Sequence, residues 1–217
     1  MEIPASKIND VRPHADRLNA NIARVHNLVS IYQTIAGSHP GRKSVGDTDV
    51  LRAAVVLLHA SLEDFLRSLS RELFPLARQE VMDTIPLAGT GTAGRPEKVL
   101  LGQLRQHRGK SVDELIEQSI EAHLERSNYN NSKEVAGLLD RLDLPVEPVR
   151  RFLSDLDKMM ARRHQIVHRA DCTSQGGRGR HVARSLRVAS VEKWINTVLN
   201  FHGVILYQLH LKAVQDE

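Results

Sequence analysis

Apolar residues recur at helical spacing along most of this chain, and no run alternates β-branched with polar residues long enough to seed a sheet. The pattern first appears over 8–37, where Val11, Ala15, Leu18, Ile22, Val25, Val29, Tyr32 and Ile35 keep the period. Pro13 is tolerated in the opening turns and Gly37 ends the helix. A second helix starts near Asp47 or Thr48 and runs to about Pro75, with Leu51, Ala54, Leu58, Leu62, Phe65, Leu69 and Leu73 as its core stripe. A short helical segment, 76–84, leads into a loop, and Pro96 restarts a helix through Leu100, Leu101 and Leu104 that ends at the basic stretch 107–110.

Ser111 and Glu114 form a capping box for a helix over 112–126, with Leu115, Ile116, Ile120 and Leu124 turned inward. Val135, Leu138, Leu139 and Leu142 mark another short helix over 132–142. The stretch 147–171 follows, and the rest of the chain reads as arranged around it: Val149, Phe152, Leu153, Leu156, Met159, Met160, Ile166 and Val167 share one apolar face. Ser190 opens a last helix over 191–214, with Val191, Trp194, Ile195, Val198, Leu199, Ile205, Leu206 and Leu209 inward. Trp194 on that stripe reads as core rather than as a base-stacking platform. The expectation is an all-α, up-and-down helical bundle with inserted short helices.

Composition supports this. Aromatic residues make up 4% of the chain, and small and aliphatic side chains dominate the apolar set, as helix packing favours. A length of 217 residues suits one domain spanning 1–217, and no internal repeat is evident. The opening MEIPASKIND lacks a basic stretch followed by an apolar one, so no secretory signal is expected. The longest apolar-rich segment, 50–62, is interrupted by Arg52 and His59 and is too short to span a bilayer. Cys172 is the only cysteine, which rules out an internal disulfide and points to a reducing, cytoplasmic setting. Gly89, Gly91 and Gly94 spell G-x-G-x-x-G. A dinucleotide loop needs a strand before it, though, and Ile85-Pro86-Leu87 is too short and proline-broken to be one.

The densest chemistry lies at the end of 147–171. At 100° per residue Arg163 falls near the middle of the apolar face, where a permanently charged side chain demands a partner or a purpose. His164 and His168 follow at i, i+4 spacing, on one ridge of the same helix. Between Asp171 and Glu192 there is no acidic residue, whereas Arg178, Arg180, Arg184 and Arg187 are present. Together with Arg162, Arg163 and Arg169 they concentrate positive charge at one helix end, and a polyanion such as RNA is the economical partner. The net charge of +4 permits nucleic acid without diagnosing it.

Other readings compete at each position. His59 and Glu63, at i, i+4 on the second helix, fit a solvated or lightly bonded helix face; the sharper alternative is that Glu63 helps orient the Arg/His cluster. Arg163 could be a purely structural arginine satisfied by Glu63 or Asp64. His164, His168, Asp171 and Cys172 have spacing that a metal could use, but Arg162, Arg163 and Arg169 would repel a cation. No metal and no cofactor is expected. Cys172 has no neighbourhood that would make it a nucleophile.

Arg163-His164-Gln165-Ile166-Val167-His168 matches the R-[polar]-x-x-x-H signature of HEPN domains, the "higher eukaryotes and prokaryotes nucleotide-binding" superfamily. The longer string RRHQIVHRAD resembles in particular the RiboL-PSP-HEPN and related prokaryotic families. HASLEDFLRSL, VLLGQLRQHRGKSVDEL and SNYNNSKEVAGLLDRLDL are similar to other stretches of those families, so the resemblance covers roughly 45–215. It implies a metal-independent endoribonuclease, of the kind found in toxin–antitoxin, phage-defence and RNA-processing systems, and a homodimer with its motifs near the interface. An antitoxin protein would be a further partner.

The same resemblance makes Arg163 and His168 the catalytic pair, with His164 at the polar position after the arginine. From the residues themselves, His164 and Glu63 are expected to orient the pair, and Arg162, Arg169, Arg178 and Arg180 to contact RNA. Some HEPN proteins have lost activity, so a non-catalytic helical module that binds RNA, nucleotide or a protein is the alternative. The chemistry of the residues fits cleavage: a histidine can move the proton of the attacking 2′-hydroxyl and an arginine can hold charge on phosphate. Residues five apart on a straight helix point ~140° away from each other. Convergence of Arg163 and His168 therefore requires fraying near Val167, a second protomer, or both, and both are expected.

Overall fold

Leu51, Ala54, Leu58, Leu62, Phe65, Leu69 and Leu73 are all within 1% of complete burial, and the helix that carries them is the hub of the molecule. In the computed structural model, which describes residues 4–37, 45–88, 101–172 and 183–215, this helix is α2 (Val45–Leu73). It touches α1 (Ala5–Ala36), α4 (Val112–Arg126), α6 (Arg150–Arg169) and α7 (Val188–Gln215). Because neighbours surround it, its buried surface is wider than one stripe: Val55 and Leu66 are also sealed. Each large side chain fully buried there contributes roughly 1.5–3 kcal/mol relative to exposure. The 147–171 stretch, expected to be the organising element, instead packs on the flank of α2.

The helices α1 and α2 form an antiparallel hairpin. Arg17 near the start of α1 donates to Asp64 at 2.7 Å and to Ser68 at 2.7 Å, and Lys7 and His14 both reach Glu72. The expected core face of α1 is buried from Val11 to Tyr32, but Ile35 is 56% exposed, while Ala36 beside it still packs on the core. α1 closes at Gly37, whose φ of +60° lies in the region glycine adopts most readily. α6 and α7 are likewise antiparallel: Lys193 pairs with Asp155 at 2.7 Å, and Gln208 donates to the Pro145 carbonyl at 3.1 Å. Trp194 is buried in this packing.

The short elements between α2 and α6 lie against the long helices. A turn of 3-10 helix (Phe74–Leu76) extends α2, and α3 is the four-residue Gln79–Met82. The segment expected to restart a helix at Pro96 is described from Leu101, and over Leu101–His107 it is a 3-10 helix rather than an α-helix. Its Leu101 is 83% exposed, so little core holds it in place. In α4 both bonds of the Ser111–Glu114 capping box are present, and Arg71 of α2 clasps Glu121 through two bonds of 2.7 and 2.8 Å. The next helix, α5 (Ser132–Arg141), is capped by Asn131 and docks on α6 where the Ser132 amide and hydroxyl both donate to Asp157 at 2.6 Å. Among the described residues there is no strand, only an isolated bridge between Cys172 and Ala183, and no helix long and apolar enough to cross a membrane. The glycine loop at 89–94 lies outside the described residues.

Candidate functional site at the end of α6

A single turn of 3-10 helix (Glu147–Val149) leads into α6, whose apolar face is sealed at Leu156, Met159 and Met160. The same face continues past the bundle. Val167 lies on it, one turn beyond Arg163, and is 47% exposed. Arg163 sits at the boundary, half-buried, with its Nε buried and without a hydrogen-bond partner among the described residues. Among the described residues no ion pair holds it there either. Glu63 accepts instead from Arg67 at 2.9 Å and Asp64 from Arg17 at 2.7 Å, so neither carboxylate satisfies Arg163.

What lies beside Arg163 is a histidine. His59 of α2 is only 1% exposed, so of the solvated or lightly bonded face expected for His59 and Glu63 only the light bonding holds. Its Nε2 donates to the Tyr129 carbonyl at 3.2 Å, which leaves Nδ1 bare and 3.8 Å from Glu63. That is too far for a hydrogen bond. Burial pushes the His59 pKa down, and the neighbouring Arg163 charge pushes it further the same way. His59 is therefore a neutral wall behind the arginine. Glu63 stands one remove from Arg163, beside His59 and bonded to Arg67, and Arg67 also donates to the Ser127 carbonyl at 2.8 Å.

His164 and His168 stand on the exposed side of the helix with ring centroids 4.5 Å apart and planes inclined by 45°. The fraying expected near Val167 does not occur. The helix continues through Arg169 and closes at Ala170, whose φ of 47° and ψ of 32° are left-handed and whose amide donates to the Gln165 carbonyl. Within one chain Arg163 and His168 consequently diverge by ~140°, as the straight helix dictates.

A buried ion cluster fixes the cap. Asp171 is fully sealed and also has positive φ, at 55°. Its Oδ2 accepts from Arg52 of α2 at 2.8 Å and from Arg162 at 2.7 Å, while its amide donates to the Gln165 carbonyl at 3.0 Å. Two successive non-glycine residues in the left-handed region cost of order 1–2 kcal/mol each, and these contacts hold them there. Arg162 also donates to the carbonyls of Arg184 and Ser185, both at 3.1 Å. Burial lowers its pKa, an effect that Asp171 opposes. Its guanidinium is thus committed to the fold, whereas Arg169 is exposed. Arg178 and Arg180 lie outside the described residues.

Two clefts flank this end of α6. One, of about 410 Å³, is lined by Asn130, Asn131, Met160, His164, Gln165 and Arg169 among others. The second, of about 600 Å³, lies on the α7 side and shares Ala161 and Gln165 with the first. Among the described residues no group of three His, Cys, Asp or Glu side chains is placed to hold a metal ion; Asp171, one of the spacing-derived candidates, is enclosed by arginines. Cys172 is half-buried, with its thiol 3.4 Å from the Ala170 carbonyl.

Arg52 and Asp171 are the residues of this site whose role the spacing did not disclose. Their signal was faint but present: Arg52 interrupts an apolar helix, and Asp171 is the only carboxylate between Asp157 and Glu192.

No curated protein and no solved structure matches the chain. The RiboL-PSP-HEPN family model matches residues 19–205, a span that takes in most of α1 as well as the stretches that carried the resemblance. With its all-helical architecture and its R-[polar]-x-x-x-H segment at the end of α6, the chain belongs to the RiboL-PSP-HEPN family.

Proposed function

We propose that this protein is a metal-independent endoribonuclease, acting as one HEPN domain that pairs with a second copy of itself. The observation that carries the reading is the end of α6. It presents two exposed imidazoles 4.5 Å apart and, on the adjoining face, an arginine with no ion-pair partner among the described residues. Arginine left unpaired at the edge of a core is poised for an anion, and its planar fork suits a phosphate. His168 would take the proton of the attacking ribose 2′-hydroxyl or return one to the leaving 5′-oxygen. Arg163 would hold the charge that builds on the phosphorus oxygens. His164 orients His168; His59 and Glu63 support Arg163 from behind.

The divergence of Arg163 and His168 on an unbroken helix supports a composite site, in which Arg163 of one copy works with His168 of the other. The exposed Val167 between them, on a face that is apolar further up the helix, supports a partner surface there. A toxin held by an antitoxin, a phage-defence nuclease and an RNA-processing enzyme are all roles such an activity would serve.

The same divergence favours the second reading, a module that binds RNA without cutting it. Incubating the purified protein with total RNA in the presence of EDTA, beside Arg163→Ala and His168→Ala, separates the two. Cleavage by the wild type alone is the expected result. Binding without cleavage, unaffected by His168→Ala, would establish the non-catalytic module instead.

A further inference from the structure

We propose that the cleft between α6 and the start of α7 holds the sugar–phosphate backbone of single-stranded RNA, with Arg184 and Arg187 as its phosphate contacts. RNA as the ligand rests on the functional reading above; the place and the residues come from the cleft itself. Its volume is about 600 Å³, its walls include Lys158, Arg162, Arg184 and Arg187, and no acidic side chain lines it among the described residues. Arg184 and Arg187 are exposed, and neither makes an ion pair among the described residues. Lys158 is shared with Asp155 at 3.0 Å, and Arg162 is committed to Asp171. The two free guanidiniums are therefore the groups with charge to offer.

Arg184 is also held in place. Its amide donates to the Asp171 carbonyl at 2.9 Å, and its own carbonyl accepts from Arg52 at 2.8 Å and Arg162 at 3.1 Å. The cluster that closes α6 thus fixes the backbone from which this arginine projects, which lowers the ordering cost of binding. Arg187 stands immediately before α7, and its carbonyl accepts from the Ser190 amide at 3.0 Å. The first turn of that helix carries no acidic residue, so the helix end adds positive potential to the same cleft.

The cleft on the other side of the α7 start provides a contrast: Asp155 and Glu192 line it together with Arg151 and Lys193. One side of α7 is acid-free and the other is of mixed charge. The acid-free cleft shares Ala161 and Gln165 with the cleft that contains His164, so a strand lying in the first need cross only that ridge to reach the imidazoles.

The test is titration of a fluorescent, single-stranded RNA oligonucleotide with His168→Ala protein, followed by anisotropy at several salt concentrations. Adding Arg184→Ala and Arg187→Ala together should weaken binding roughly tenfold or more. It should also lower the slope of log affinity against log salt by about 1.4, or 0.7 per lost contact. Arg151→Ala, which changes charge in the mixed cleft, should leave both unchanged. Equal losses from Arg151→Ala, or no loss from the arginine pair, would overturn the inference. Should the double variant fold poorly, Arg187→Ala alone, whose side chain is exposed, carries the test with about half the change in slope. Because binding is read without cleavage, a protein that cuts no RNA but shows the arginine-dependent slope refutes the nuclease and keeps the cleft. A wild type that cuts RNA but binds it independently of both arginines does the reverse.

Discussion

His164 and His168 lie one turn apart on the exposed side of α6 with their rings 4.5 Å from centroid to centroid. Neither ring takes part in a hydrogen bond of the fold among the described residues, so truncating either leaves no cavity and orphans no partner. His168→Ala should reduce RNA cleavage at least ~100-fold. Its effect on stability should stay within about 0.5 kcal/mol. His164→Ala should lower cleavage less, as befits an orienting group. Initial rates on a labelled RNA, beside thermal melts of the same preparations, check both; a variant that unfolds would make the ring structural rather than chemical.

Asp171 behaves oppositely. It is sealed beneath two guanidiniums, and Asp171→Ala takes from Arg162 the carboxylate it pairs with and from Arg52 its buried one, although Asp49 still pairs with Arg52 at 3.0 Å. The expected cost is about 3–5 kcal/mol. At 2–4 °C per kcal/mol for a chain of this size, the melting temperature should fall by roughly 10 °C. A melt unchanged from wild type would mean that the cluster contributes nothing to closing α6.

Stability should also fall as pH drops below about 6.5, before carboxylates begin to titrate. Three histidines have folded-state pKa values pushed down, in each case first by burial: His59, with Arg163 adding to it; His123, with Arg141 and Arg126 adding to it; and His202, packed edge-on against Phe65. A group with a depressed folded pKa binds its proton more readily in the unfolded chain. Its contribution is therefore complete above the unfolded value and lost as pH falls through the folded one. Urea denaturation between pH 7.5 and 5 should show unfolding coupled to the uptake of up to three protons. A flat profile would show that these rings are protonated without penalty.

The helical period located most of the fold, because it is a property of backbone geometry that any amphipathic helix must express. Leu51 to Leu73 on α2 and Val11 to Tyr32 on α1 are buried as their spacing requires. The Ser111–Glu114 cap is local in sequence and was legible for the same reason. Misreadings arose where a position depends on what packs from outside the helix. His59 sits off the leucine stripe of α2 and looked solvated, but α2 is covered on several sides and the ring is enclosed. Arg162 looked like one of several arginines for RNA until Asp171, nine residues on, folded back to meet it. Arg163, His164 and His168 were legible as a motif because they share one helix. That Arg163 has no ion-pair partner among the described residues, while Glu63 and Asp64 bond elsewhere, is a tertiary fact that spacing cannot encode.

The central claim is that Arg163 and His168 from two copies build one RNA-cleaving site. It is tested most directly by mixing Arg163→Ala with His168→Ala protein, after dissociation and reassociation, and measuring RNA cleavage in EDTA. Each variant alone should be inactive. In the mixture half of the dimers are mixed, and each mixed dimer has one of its two sites intact, so ~25% of wild-type activity should return. A mixture as inactive as its components would contradict the composite site, and cleavage by either variant alone would contradict the roles assigned to Arg163 and His168.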